Sequence, residues 1–156
     1  MDVGLVPAQN IDWLYFLRQG KCFRFGSTLG PSVGVNSQCQ LLNPVGSGVT
    51  SIVHRIKAAI GTTDFVFLQD SGTPLTTLVG SGRNLSLGGT VSVCKIRTDL
   101  VASFPGSQVT KVQLLANTTY PIADDWVALL GAGQGLVLEP SSVNVQIDYE
   151  YEWVEF

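Results

Sequence analysis

His54 is the only histidine in the 156 residues, so a nucleophile that needs an imidazole base has a single place to find one. The nearest approach to a nucleophile elbow, Gly26-Ser27-Thr28-Leu29-Gly30, carries Thr at its centre and has no helical pattern behind it. His54 shares strand parity with Ile52 and Ile56, which reads as a core or subunit-contact histidine and not a base. Glycosidic chemistry uses two carboxylates about 5 to 10 Å apart. Asp124 and Asp125 are adjacent, after Pro121 and before Trp126, and read as turn residues. Asp148, Glu150 and Glu152 alternate along one strand, and a flat strand does not curl around a hard cation. Gly20-Lys21 lacks the remainder of a P-loop, and Gly131-Ala132-Gly133-Gln134-Gly135 lacks dinucleotide spacing and reads as a tight turn. Cys22, Cys39 and Cys94 are odd in number, far apart and without metal-ligand spacing, so they read as buried thiols. The residue types predict no enzyme, no catalytic residue, no cofactor and no metal.

The elements that would carry these residues are strands. Period-2 alternation, interrupted by Gly, Pro, Asn and Ser turns, marks nine candidates at 21–28, 38–42, 50–60, 65–69, 90–98, 110–116, 125–130, 135–139 and 143–153. In the last, Val143, Val145, Ile147, Tyr149, Tyr151 and Trp153 fall on an apolar face. Asn144, Gln146, Asp148, Glu150 and Glu152 fall on one that is wet or meets a partner. The link Gly61-Thr62-Thr63-Asp64 reads as a hairpin turn joining 50–60 to 65–69 as an antiparallel pair. Residues 70–89, dense in Ser, Gly, Thr and Pro, read mostly as loop. Short strands without crossover helices predict an all-β, antiparallel β-sandwich. A jelly roll is the commonest form at this strand number, with an immunoglobulin-like sandwich as the alternative.

Hydrophobic residues make up 45% of the chain and charged residues 13%, with a net charge of -3. That much apolar surface offsets ordering entropy and excludes a disordered chain. The acidic balance lacks the basic footprint of a nucleic-acid binder. Apolar runs break within about eight residues, short of the roughly 20 that a membrane helix needs. Met1-Asp2-Val3-Gly4 does not open a signal-peptide pattern, so the chain reads as a soluble, cytoplasmically made product. The glycosylation triplets at Asn84 and Asn117 are discounted accordingly.

Residues 1–20 are expected to form an N-terminal arm and 21–156 a single sandwich domain. The stretch Ile11-Asp12-Trp13-Leu14-Tyr15-Phe16-Leu17 is apolar almost throughout, with neither helical stripe nor alternation. It fits an arm packed on its own sandwich or on a neighbour. Residues 1–111 hold nine bases and five acids, and 112–156 hold seven acids and no base. Either Arg55 or Lys57 pairs Asp148 or Glu150 within the chain, or a basic patch meets an acidic strand of the next subunit. So few charges leave apolar patches that an oligomer would bury.

Two stretches resemble a known class. Leu42-Asn43-Pro44-Val45-Gly46-Ser47-Gly48-Val49 is a turn feeding a long strand. Gly135-Leu136-Val137-Leu138-Glu139-Pro140 leads to a terminal strand closing in Glu150-Tyr151-Glu152-Trp153-Val154-Glu155. They resemble small structural proteins of tailed bacteriophages, in particular jelly-roll cement or decoration proteins that sit as trimers on capsids. They are also similar to fibre and tail appendage domains. The resemblance implies a non-enzymatic virion protein on the outer capsid surface, a homotrimer whose partner is the major capsid protein. Trp13, Tyr15, Phe16, Arg55, Lys57, Asp148, Glu150 and Glu152 are its expected subunit or capsid contacts. A fibre or tail appendage domain binding a host glycan is the alternative, with Trp126 as its candidate aromatic.

Overall fold

A computed structural model describes residues 13–86, 88–102, 106–125 and 127–156. Its elements are a short helix α1 (Trp13–Arg18) and twelve strands. They are β1 (Cys22–Leu29), β2 (Asn36–Asn43), β3 (Ser51–Ile60), β4 (Asp64–Asp70), β5 (Thr77–Ser81) and β6 (Arg83–Asn84). After these come β7 (Lys95–Val101), β8 (Ser107–Leu114), β9 (Tyr120–Ala123), β10 (Ala128–Leu130), β11 (Gln134–Pro140) and β12 (Ile147–Glu155). Two antiparallel sheets face each other. The first runs β10-β3-β12-β1-β6, with β9 also on β3, and the second runs β5-β7-β2-β11-β4-β8. The chain is an all-β sandwich.

The expected pairing of 50–60 with 65–69 does not occur. β3 lies in the first sheet beside β12, and β4 lies in the second beside β11 and β8. Gly61-Thr62-Thr63-Asp64 does reverse the chain, but a turn signal does not specify whether the reversal stays within one sheet. Both strands bury an apolar row, Val53, Ile56, Ala58 and Ile60 on β3 and Val66 and Leu68 on β4. Crossing between sheets sets those rows face to face in one core.

The parity assigned to His54 fails for a local reason. Glu152 pairs with Arg55 while Trp153 pairs with Val53, so His54 is the extra residue of a β-bulge. The bulge resets the alternation, turning Val53 inward and leaving Ile52 half-buried. Strand ends also shift. Residues 90–94, Asp125 and Val127 lie outside the strands expected to hold them, Val143 is exposed, and β5 and β6 occupy part of the stretch expected to be loop.

β12 is the central strand of the first sheet, between β1 and β3. Its inner row, Ile147, Tyr149, Tyr151 and Trp153, is buried as the alternation required. The Tyr151 hydroxyl donates to the Cys39 carbonyl at 2.9 Å, tying the first sheet to β2 of the second. Trp153 stacks on Phe23 at 6.2 Å, and its indole leaves no room for a side chain at Gly82, whose added Cβ would lie 2.3 Å from the ring.

Two buried carboxylates organise polar layers. Glu155 accepts from Trp153 Nε1 at 3.0 Å, from the Val93 and Cys94 amides at 3.0 and 3.1 Å, and from the Ser92 hydroxyl. Burial pushes this carboxyl up, but the four donors together outweigh it and hold the group below its ordinary range. Glu139 accepts from the Asn36, Gln38 and Gln69 amides, and there burial wins, pushing the carboxyl up. The same layer explains why β2, rich in Asn and Gln, is buried along its whole length.

Truncating Trp153 to Ala should cost about 3–5 kcal/mol and is measured by urea unfolding. The pH dependence has a defined sign. The contribution of Glu155 is present above the ordinary carboxylate pKa and lost as pH falls through its lower folded value. Glu139 acts oppositely, favouring the folded form at acid pH. Glu155→Gln should therefore lower Tm near neutrality and flatten its fall on acidification. A parallel fall in both proteins would contradict the assignment.

Candidate interaction face

α1 lies on the outer face of the first sheet. Six residues are too few to hold a helix in water, so its packing sustains it. Phe16 is buried with Cys22 and Val154, flanked by Trp13, Leu17 and Leu85. Trp13 stacks on His54 with ring centroids 4.5 Å apart, and Phe16 meets Phe156 edge-on at 5.0 Å. The helix ends where Gly20 takes φ 66°. There the Gly20 amide donates to the Leu17 carbonyl and the Lys21 amide to the Phe16 carbonyl, each at 3.0 Å. This is a Schellman stop, which a side chain at Gly20 would strain. The run 11–17 showed neither helical stripe nor alternation, and over its described residues it is a helix that buries one side and leaves Leu14 and Tyr15 half-exposed.

Beneath α1 runs a chain of charge. Glu152 was expected on a face that is wet or meets a partner, and it is only 2% exposed because α1 and its neighbours lie over that end of β12. It pairs with Arg24 across the β1 register and lies 3.6 Å from His54 Nδ1 and 3.9 Å from an Arg55 nitrogen. Arg55 donates to Asp124 at 2.8 Å, and that guanidinium holds the Asp124 carboxyl below its usual range. Lys57 sits 3.3 Å from Glu150, its partner in register, and Thr28 donates to Asp148. The charges at Arg55, Lys57, Asp148, Glu150 and Glu152 are thus engaged within the chain, in the first of the two arrangements the sequence left open.

The expected contact residues therefore separate. Phe16 is interior, and Trp13 is half-buried against His54. Tyr15 is 56% exposed, beside Leu14 at 50% and Phe156 at 43%. Arg18 follows in the last turn of α1, and the Lys21 ammonium lies 5.4 Å from the Phe156 ring. Sequence reasoning missed Leu14, Phe156, Arg24 and the role of His54. One signal was present, since no acid occurs among residues 13–24 while Arg18, Lys21 and Arg24 do. Trp126 lies outside the described residues.

The thiols are interior. Burial, and secondarily the charge of Glu152, pushes Cys22 up to about 12, and burial pushes Cys94 up to about 12, so neither is nucleophilic at neutral pH. A cleft of about 440 Å³ opens at one end of the sandwich between β4, β8 and β10, floored by Leu68, Leu130 and Leu136. Its Asp70 accepts the Ser107 amide at 3.2 Å. Among the described residues no three of His, Cys, Asp and Glu gather as metal ligands, and no helix is long and apolar enough to cross a membrane. Compared with protein-family models, curated proteins and solved structures, the chain has no match.

Burial ranks the acidic residues of β12. Glu150→Gln, at a half-buried position whose ion pair with Lys57 reaches solvent, should change stability by less than about 1 kcal/mol. Glu152→Ala removes the acceptor of Arg24 at a buried position and should cost roughly 1–3 kcal/mol. Denaturant midpoints of the two variants compare them directly, and equal losses would contradict the ranking.

Proposed function

We propose that the chain is a non-enzymatic structural protein of a phage virion, a cement or decoration protein that binds the outside of the head as a homotrimer and bridges capsomers. The observation that carries the reading is the surface left after the chain has satisfied its own charges. Ion pairs on the outer face of the first sheet are used internally, and the adjoining surface is an apolar, aromatic patch of Leu14, Tyr15 and Phe156 beside Arg18 and Lys21. Such a patch suits docking by shape and apolar burial. Three linked copies would turn one weak contact into tight attachment.

The strand order supports the jelly-roll form of the sandwich. Strands β1, β2, β3 and β4 alternate between sheets, as do β11 and β12, which lie between β2 and β4 and between β1 and β3. The insertion β5–β7 then extends the other edge of each sheet. This architecture is common among capsid and lectin domains, so it bears on class and not on the partner.

Incubating the purified chain with undecorated heads, then sedimenting and imaging them, tests the reading. Saturable occupancy on the capsid lattice is expected, and Tyr15→Asp should lower occupancy at least tenfold while leaving Tm unchanged. Absence of head binding, together with a position on fibres or hits on a glycan array, would overturn it in favour of a receptor-binding appendage.

A further inference from the structure

We infer that α1 is an exchangeable arm, and that in the self-associated protein its seat on the first sheet is filled by the α1 of a second copy. This deepens the homo-oligomeric part of the proposed function and rests on it only there, since exchange needs copies of this chain and no capsid. Three features carry it.

The seat requires an occupant. Cys22 and Val154 are fully buried and Glu152 nearly so on a face that would be open to water if α1 left. A hydrated apolar floor beside a buried carboxylate is unfavourable, so a released arm must be replaced. The occupant whose shape matches this seat is α1 itself, with Trp13 on His54 and Phe16 between Cys22, Val154 and Phe156.

The tether is short and hinged. Only Gln19, Gly20 and Lys21 separate α1 from β1. Gly20 holds φ 66°, a conformation that glycine can leave for an extended one with little steric cost. Extending it breaks the two hydrogen bonds of the helix stop, from the Gly20 amide to the Leu17 carbonyl and from the Lys21 amide to the Phe16 carbonyl. The packing of α1 on its seat can then be re-formed in trans.

Exchange also covers surface that the closed monomer leaves wet. Tyr15 and Phe156 both meet the ring of Phe16 edge-on, at 5.4 and 5.0 Å, and both are about half-exposed. Burying them favours association, which the high local concentration on an assembling lattice would reinforce.

The test uses the full chain without capsids. A variant carrying Leu17→Cys and Leu85→Cys, positions that pack in the same cluster, is oxidised across a concentration series and run on a non-reducing denaturing gel. Sedimentation is followed in parallel, together with a chain lacking residues 1–18. Expected are concentration-dependent oligomers, covalent multimers through the 17–85 bond, and a folded, monomeric deletion variant. A wild-type chain that stays monomeric throughout overturns the inference. So do oligomers whose 17–85 bond is purely intrachain, or oligomers that persist in the deletion variant. If the new bond fails to form, the deletion variant alone decides. Exchange without head binding would leave this inference standing and remove the capsid reading, and head binding by an intrachain-locked chain would do the reverse.

Discussion

The rest of this sandwich is arranged around one central strand, β12, that is buried on both faces from Tyr151 to Glu155. β12 sits between β1 and β3, and its inner row reaches across the core to β2 through Tyr151 and under the β5–β6 connection through Trp153 against Gly82. Its outer row carries Glu152 and Val154 beneath α1. A strand with both faces covered sits where apolar burial is greatest, and a wrong register there would place carboxylates in the core. Glu155 shows how this constraint reaches outward. It shares the inward parity of Trp153, and its carboxylate is tolerated because Ser92, Val93, Cys94 and the indole supply donors. Three otherwise irregular residues, Ser92, Val93 and Cys94, are thereby fixed to the end of the sheet.

The features legible in the sequence were those that depend on a strand's own residues. β12 follows its apolar period over most of its length, so the inward Tyr149, Tyr151 and Trp153 were readable from parity, while β11 was marked by its short apolar run Leu136-Val137-Leu138. What escaped depends on a neighbour. The bulge at His54 arises from the pairing of β3 with β12, so parity within β3 could not reveal it. β2 is written in Asn, Ser and Gln, yet it is central in its sheet, because Glu139 accepts amide donors that look like surface residues in isolation. β6 adds itself to the edge at β1 and β5 to the edge at β7, pairings that composition rich in Gly and Ser conceals.

The interaction face was half legible for the same reason. The apolar run before β1 was recognisable as an arm, but which of its residues face the sheet depends on where α1 lies. Phe16 and Trp13 turn to Val154 and His54, and Tyr15 turns away. Charge was the more misleading guide. The basic first part and acidic last part of the chain suggest complementary surfaces between subunits, yet β3 and β12 are neighbours within one sheet, so their charges meet inside the chain. Exposed pairs of that kind contribute little to stability, and they remove the polar surface that would otherwise steer association.

The sheet edges lead to the same face by elimination. An open edge strand is the usual place for one β-protein to pair with another, and here both edges of the second sheet are interrupted. On β8, Leu68 pairs with Thr110 while Gln69 pairs with Gln108, which pushes Val109 out of the ladder. On β5, Leu78 pairs with Arg97 while Gly80 pairs with Ile96, which does the same to Val79. The first sheet ends in β6 with two residues, β9 with four and β10 with three. Bulged or short edges offer too few consecutive main-chain donors and acceptors to template a second chain. Association by strand addition is thereby disfavoured at each end of both sheets. The surface that joins exposed aromatic area to a basic flank is the one formed by α1, Lys21 and Phe156.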